Sequence, residues 1–140
     1  MSDVTLIQCT DGKRDEPAPA KDLYDTSAYF RVMRRWARAR GDPWFILSAK
    51  HGLVRPDTWL EPYDERGLSV EQAETIATQL HADGVTTVHL TAGRDYTGEL
   101  VPELEARGID VVNHFAGERI GTRRSKLEAA ARELENHTLC

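Results

Sequence analysis

The chain has 140 residues, 40% of them apolar, and a formal net charge of -5. This length and apolar content predict one domain over residues 1–140 with a single hydrophobic core. No stretch approaches the roughly 18 apolar residues that span a bilayer, and the first residues lack a leader pattern, so we expect a cytoplasmic protein without membrane contacts. The two cysteines, Cys9 and Cys140, lie far apart in the sequence, so we expect reduced thiols rather than a disulfide.

The first half of the sequence alternates strand-like and helical patterns. Residues 4–9 form a short run rich in β-branched side chains, which predicts a strand, and turn-prone residues follow. From Ser27, a residue type that suits an N-cap, apolar residues recur at spacings of three and four until Gly41, which predicts a helix. The apolar run 44–48 predicts a second strand, and residues 51–67 read as a long polar and aromatic loop.

The second half continues the same alternation. Ser69 and Gln72 have the spacing of a capping box, which predicts a helix that ends near Gly84. Further patterns predict strand 86–93, helix 94–108, strand 109–115 and a closing helix over 123–137. Four β-α units in this order predict an α/β three-layer sandwich, in which helices cover both faces of a four-stranded, mainly parallel sheet.

The loops that follow the four strands contain most of the candidate site residues. In open parallel sheets, ligands bind outside the carboxyl ends of the strands, so we expect these loops to form one site. Their polar and glycine residues are Cys9, Asp11 and Lys13; Ser48, Lys50, His51, Tyr63 and Asp64; Gly93 and Arg94; and His114, Arg119, Gly121 and Arg123.

Two lysines and one cysteine in these loops each allow two interpretations. Lys50 is either partly desolvated, and then a nucleophile or base near neutral pH, or simply exposed. Lys13, near Asp11, either holds a phosphate or carboxylate or forms a surface ion pair. Cys9 is either a thiolate next to a cation or a small buried apolar residue.

The sequence contains one group of residues to consider as metal ligands and one segment to consider as a phosphate site. Cys9, His51 and His114 lack the spacing of a metal site, so we expect no metal and no cofactor. Residues 116–127 combine glycines with Arg119 and Arg123 ahead of a helix, which predicts a phosphate site.

The first long helix carries arginines on one side. This face either tracks a nucleic-acid backbone or is a solvated surface paired to nearby acids. The net negative charge argues only against a protein that coats nucleic acid over its whole surface. The arginines are Arg31, Arg34, Arg35 and Arg38.

Six motifs are distributed over most of the chain, from residue 9 to residue 123. They are Cys9–Lys13, Pro19–Phe30, Trp44–Pro56, Pro62–Asp64, Ala92–Tyr96 and Ile120–Arg123. In these motifs the sequence resembles the DUF6884 family, a domain of unknown function, so the resemblance itself implies no activity.

A more distant resemblance concerns the spacing of Cys9 and Lys13, followed by Gly52–Pro56 and Tyr63-Asp64. This order is similar to the core catalytic domain of archaeosine synthase, a tRNA-modifying enzyme, in which a Cys-x3-Lys-Pro-Tyr pattern carries lysine-based chemistry. Here Arg14 follows where the proline stands in that pattern. The order of elements is also similar to folds of the uracil-DNA-glycosylase type.

We therefore expect a small cytosolic enzyme that acts on a nucleobase, nucleoside or nucleotide, free or within tRNA or DNA, by glycosidic-bond or base-modification chemistry. The expected catalytic residues are Lys50, Lys13, Asp64 and Cys9. The expected substrate-binding residues are Ser48, His51, Tyr63, Gly93, Arg94, Arg119 and Arg123. The alternative is a noncatalytic module that binds nucleic acid or nucleotides through the arginines of the first helix.

Overall fold

The computed structural model describes residues 3–139, apart from the side chains of residues 138 and 139, so the prediction for Cys140 lies outside the described residues. Five strands form the main sheet and two more form a small one. The elements are β1 (Asp3–Gln8), β2 (Ala18–Pro19), α1 (Ala20–Leu23), α2 (Ala28–Arg40), β3 (Trp44–Ser48), β4 (Gly52–Val54), β5 (Trp59–Leu60), α3 (Val70–Ala82), β6 (Thr87–Thr91), α4 (Arg94–Ala106), β7 (Asp110–Asn113) and α5 (Ile120–Leu139).

The main sheet has the order β4-β3-β1-β6-β7. The pairings β1–β3, β1–β6 and β6–β7 are parallel, and β3–β4 is antiparallel. The four predicted strands, β1, β3, β6 and β7, are present and pair in parallel, but a fifth, antiparallel strand corrects the predicted count of four and makes the sheet mixed. The extra strand, β4, forms because a tight turn after Ser48 folds the chain back along β3, with Gly52 at a φ of 75° that favours glycine.

The two long helices predicted from their N-caps are confirmed. The Ser27 side chain accepts the Phe30 N–H at the start of α2. At α3, Ser69 and Gln72 form both bonds of a capping box, with N–O distances of 2.9 and 3.1 Å. Each cap satisfies helix N–H groups that have no partner within the helix, which stabilises the start of the helix by about 1 kcal/mol.

The helices pack as two pairs, α2 with α5 and α3 with α4. The chain moves from β1 to β3 in one direction along the sheet and from β3 to β6 and β7 in the other. Since crossovers between parallel strands are right-handed, α2 lies on one face and the pair α3 and α4 lies on the other. The expected cover of helices on both faces follows from this topology.

Strand and helix residues share one hydrophobic core. Its largest fully buried side chains include Trp36, Phe30 and Met33 of α2, with Ile46 of β3 and Leu90 of β6. Burial of each such side chain stabilises the fold by roughly 1.5–3 kcal/mol. Within residues 3–139, no helix combines the length and the apolar character needed to cross a membrane.

The central strand, β1, lies where the order of the sheet reverses. The chain first leaves β1 for β3 and β4 on one side and later adds β6 and β7 on the other. The loops that follow β1 and β6 therefore diverge, and a crevice opens at their carboxyl ends. In open α/β sheets this is the usual position of a ligand site.

Candidate functional site

A cleft of about 400 Å³ lies at this reversal point. A volume in this range accommodates a small-molecule ligand. The cleft is lined by Gln8, Cys9, Thr10, Asp11 and Gly12 after β1, Ser27 and Tyr29 at α2, Arg66, Gly93, Asp95 and Tyr96 near α4, and Ile120 and Arg123 of α5. Residues from five separate parts of the chain thus meet around Cys9.

The sulfur of Cys9 is held by polar groups. Cys9 is only 2% exposed, and its Sγ lies 3.0 Å from the hydroxyl of Tyr96. The backbone N–H of Ala49 also donates to Sγ, at 3.4 Å. An apolar core cysteine has no need of such donors, whereas a nucleophilic sulfur gains from donors that stabilise negative charge. The polar surroundings favour the reactive interpretation of Cys9.

A chain of buried hydroxyl groups lies beside this sulfur, at the end of β3. Ser48 Oγ donates to the Tyr63 hydroxyl at 2.8 Å, and Tyr63 and Tyr24 share a hydrogen bond of 2.6 Å. Ser48 Oγ in turn accepts the backbone N–H of His51. The side chain of Lys13 covers this group, with its Nζ 4.6 Å from the centre of the Tyr63 ring. Cation–π attraction of this kind fixes a lysine ammonium that would otherwise be mobile.

The tyrosines around Cys9 keep their protons at neutral pH. Burial raises the pKa of Tyr24 to about 12. Burial also raises the pKa of Tyr63 and of Tyr96, and the neighbouring Cys9 sulfur raises both further. A phenolate beside the sulfur would be desolvated and repelled. The Tyr96 hydroxyl therefore keeps a proton that it can donate to the sulfur.

Charged and backbone groups form the rim of the cleft. Asp11 pairs with Arg66, and both side chains are largely exposed. Opposite them, the Gly93 N–H donates to Gln8 Oε1 at 2.6 Å, which ties the start of α4 to the end of β1. Asp95 also lines the cleft, so both acidic and basic groups face the space above Cys9.

Arg123 is a positioning residue for the loop after β7. It is 7% exposed, and its guanidinium donates to the backbone oxygens of Phe115 and Glu118 and to the Tyr29 hydroxyl. Phe115 has a φ of 59°, a left-handed conformation that is strained for a bulky residue. Arg123 was predicted to bind substrate phosphate, but most of its guanidinium N–H groups donate to acceptors within the chain itself.

The structure brings six of the predicted site residues to this region: Cys9, Gly93 and Arg123 line the cleft, and Lys13, Ser48 and Tyr63 lie next to it. It places others elsewhere. Lys50 and His51 are exposed and line a separate cavity of about 300 Å³ beside α3, although the His51 ring also contacts the edge of Tyr63. Asp64 is exposed. The Lys50 side chain therefore lacks the burial that would desolvate it, and the pair Lys50–Asp64 stays a prediction.

The two remaining arginines lie outside the cleft around Cys9. Arg94 is exposed and lines a cavity of about 440 Å³ between the loops after β6 and β7. Arg119 is exposed, and its backbone oxygen accepts the Arg123 N–H.

Tyr96 and Tyr24 lie at the site but were not predicted from the sequence as site residues. Both lie in or next to helices, where an aromatic residue is usually read as core. Tyr96 belongs to a motif of the family resemblance, three residues after Gly93, and this was the available signal. A residue in the first turn of a helix that follows a parallel strand points towards the site edge of the sheet.

The described residues contain side chains that are close enough together to be metal ligands. One group that could hold an ion, Asp3, Asp42 and His89, lies near the amino ends of the strands, away from Cys9. Asp42 already faces the Arg40 guanidinium at 3.4 Å. Cys9, His51 and His114 do not form such a group within residues 3–139.

The fold and the cleft define an α/β protein with a buried, polar-bound cysteine at the reversal point of a mixed sheet. The chain belongs to the family of unknown function DUF6884, which matches residues 4–129. It is also 28% identical over 92 residues to the uncharacterized protein YfjM of Bacillus subtilis (strain 168), a match that covers 60% of this chain and 61% of that protein. No solved structure matches the chain.

Proposed function

We propose that this protein is an enzyme that acts on a nucleobase, nucleoside or nucleotide by glycosidic-bond or base-modification chemistry. The observation that carries the proposal is the convergence of Cys9, its two donors and Lys13 at the carboxyl ends of β1 and β3, beside a cleft of about 400 Å³. A nucleophile with positioned donors next to a ligand-sized cleft is the arrangement that covalent or acid–base catalysis needs.

The roles follow from the contacts. Cys9, which lines the cleft, serves as the nucleophile, and negative charge on its sulfur is stabilised by the Ala49 N–H and the Tyr96 hydroxyl. Lys13, on the same loop, exchanges a proton with the base. The hydrogen bond between Ser48 and Tyr63 fixes the side chains that lie beside the Cys9 sulfur. Lys50 and Asp64 contribute only if substrate extends beyond the cleft.

Two features favour a nucleobase or nucleoside as the ligand. Asp11 and Asp95 line the cleft as acceptors, which suits a ligand rich in N–H and O–H donors, such as a base with its ribose. The spacing of Cys9 and Lys13 is similar to that in the core catalytic domain of archaeosine synthase, which supports base-directed chemistry. The uracil-DNA-glycosylase-like architecture expected from the element order is part of the same proposal.

The test is a turnover assay. The purified chain is incubated with a panel of free bases, nucleosides, nucleotides, modified nucleosides and tRNA, and mass spectrometry detects a released base or a changed base mass. We expect turnover of at least one member, and a loss of at least about 100-fold in Cys9→Ser and Lys13→Ala, because removal of a nucleophile or proton donor typically costs this much or more.

Two lysines serve as comparisons. Lys21→Ala removes a surface ion pair with Asp57, outside the cleft, and is expected to keep full activity. Lys50→Ala decides which of the two lysines predicted to be catalytic is needed. Because Lys50 lies outside the cleft, we expect this substitution to change turnover only slightly. Full activity of Cys9→Ser and Lys13→Ala, or no turnover of any panel member, would contradict the proposal.

A further inference from the structure

A groove of about 800 Å³ runs along α2, on the outer side of the helix pair α2 and α5. It is larger than the cleft around Cys9 and separate from it. Its lining consists of Arg31, Arg34, Arg35, Arg38, Ala39 and Gly41, with Glu135 from α5. The four arginines give it a chemistry quite different from that of the cleft.

The charge of the groove opposes the charge of the molecule. Four guanidinium groups face a single carboxylate in the lining, whereas the whole chain carries a net charge of -5. A local concentration of positive charge on an acidic protein draws anionic partners to that place and repels them from the rest of the surface. The excess of positive charge in the lining favours an anionic ligand at this groove.

The arginines are oriented but keep free donors. Arg31 donates to the backbone oxygen of Asp25 and Arg34 to that of Lys21, while Arg35 forms an ion pair with Glu135. Each guanidinium has five N–H donors, so one or two internal bonds leave others for a ligand. Arg38 is exposed. Preorganised guanidinium groups lose less side-chain freedom when they bind phosphate.

The arginines also crowd one another. Burial lowers the pKa of Arg34, and the positive charge of Arg38 lowers it further. The pairing of Asp22 with Arg34, at 3.4 Å, only partly offsets this repulsion. A bound anion would relieve it.

We propose that this groove binds the sugar–phosphate backbone of a nucleic-acid strand. Arg31 and Arg38 are separated by about 10 Å along the helix axis, at 1.5 Å per residue. One strand of a duplex carries about three phosphates over that length. A row of guanidinium groups spaced by one helical turn matches such a repeating anion, because arginine binds phosphate through two parallel hydrogen bonds.

The groove and the cleft share one helix. Tyr29, in the first turn of α2, lines the cleft, and Arg31 lies half a turn further along. Because residues two apart on a helix point to opposite sides, a strand bound along α2 would have to turn around the N-terminal end of the helix to reach Cys9. That this strand presents the substrate base to the cleft rests on the proposed function, whereas backbone binding by the groove does not.

The test compares binding and turnover in the same variants. Fluorescence anisotropy measures the affinity for a labelled 20-nucleotide RNA, the matching DNA strand and its duplex, over a series of salt concentrations. Arg31→Ala/Arg38→Ala removes two exposed arginines, and Arg55→Ala/Arg107→Ala makes the same change in charge outside the groove. Circular dichroism melting checks that each variant is folded.

The groove variant is expected to bind at least one of the three nucleic acids about 10-fold more weakly, with a salt slope reduced by about 2, while the comparison variant changes less than about 2-fold. Equal binding by the two variants overturns the proposal. So does a lack of nucleic-acid binding at low salt, or tighter binding to an acidic peptide or to anionic vesicles than to any nucleic acid.

The outcome for the groove is independent of the outcome for the enzyme. Cys9→Ser is expected to bind nucleic acid like the parent protein, and Arg31→Ala/Arg38→Ala to turn over a free nucleoside like the parent. Loss of nucleic-acid binding in the groove variant, with no turnover by any protein, would overturn the proposed enzyme and support the groove.

Discussion

Tyr63 links most of the groups beside the cleft. Its hydroxyl bonds to Ser48 and Tyr24, its ring packs at right angles to that of His51, and Lys13 lies over its face. The sequence placed Tyr63 in a long loop, where a polar aromatic residue is usually half-exposed, yet it is 7% exposed. The burial comes from the fold of that loop onto α1, a long-range effect that local sequence patterns do not encode.

Cys9 illustrates a residue whose position was predictable but whose surroundings were not. Its place at the end of a strand follows from the apolar run before it. Its donors come from Ala49 and Tyr96, which lie 40 and 87 residues away in sequence. Only the register of β1 with β3 and β6 brings these groups to the sulfur.

His114 gives a pH dependence of stability. Burial, with help from the positive charge of Arg40, lowers its pKa from 6.5 to about 4. Between these pH values the unfolded chain binds a proton that the folded chain does not, so stability present above about pH 6.5 is lost as pH falls towards 4. Allowing for solvent screening of a partly exposed group, the loss is about 1–2 kcal/mol.

Urea unfolding at pH 7, 6 and 5 measures this loss. We expect the free energy of unfolding to fall more steeply for the parent than for His114→Gln. The matched control is His81→Gln, which replaces an exposed histidine of α3 and should keep the slope of the parent. Equal slopes for all three proteins would contradict the assignment.

The helix α3 contacts the site through the side chain of Gln72. Gln72 completes the capping box with Ser69, and its Nε2 also donates to the backbone oxygen of Ala49 at 2.8 Å. Ala49 supplies the N–H that contacts the Cys9 sulfur. The start of α3 therefore fixes the turn from which that donor comes.

This double role predicts an order of destabilisation. Gln72→Ala loses both bonds and is expected to cost about 2 kcal/mol, whereas Ser69→Ala loses the cap alone and costs about 1 kcal/mol. Gln79→Ala, an exposed change in the same helix, should stay within about 0.5 kcal/mol. Urea unfolding checks the order, and equal effects of Ser69→Ala and Gln72→Ala would exclude a separate contribution from the Ala49 contact.

The elements that the sequence predicts well are those with long periodic patterns or caps. α2 begins after Ser27, α3 after Ser69, and β3 spans Trp44–Ser48 as expected. β2 and β5 were missed because each has two residues and forms by pairing with a distant partner, Ala18 with Leu60. Such short strands carry no periodic signal.

For the molecule as a whole, the reversal of the sheet order at β1 decides where chemistry is concentrated. Loop composition predicted a site spread over all four loops at the carboxyl edge of the sheet, whereas the cleft at that edge is centred on Cys9. The structure separates the cleft around Cys9 from the cavities at Lys50 and at Arg94. Which loops converge depends on strand order, and the sequence did not specify that order.

The proposed enzyme requires that the cleft around Cys9 binds the substrate. The direct measurement is the rate of alkylation of Cys9 by iodoacetamide, followed by intact mass in a Cys140→Ser background, which leaves Cys9 as the sole thiol. We predict alkylation faster than global unfolding, slowed at least about 10-fold by one or more of the four ribonucleoside 5′-monophosphates or their free bases. An alkylation rate that none of these ligands changes, or alkylation only upon unfolding, would contradict substrate binding in the cleft around Cys9.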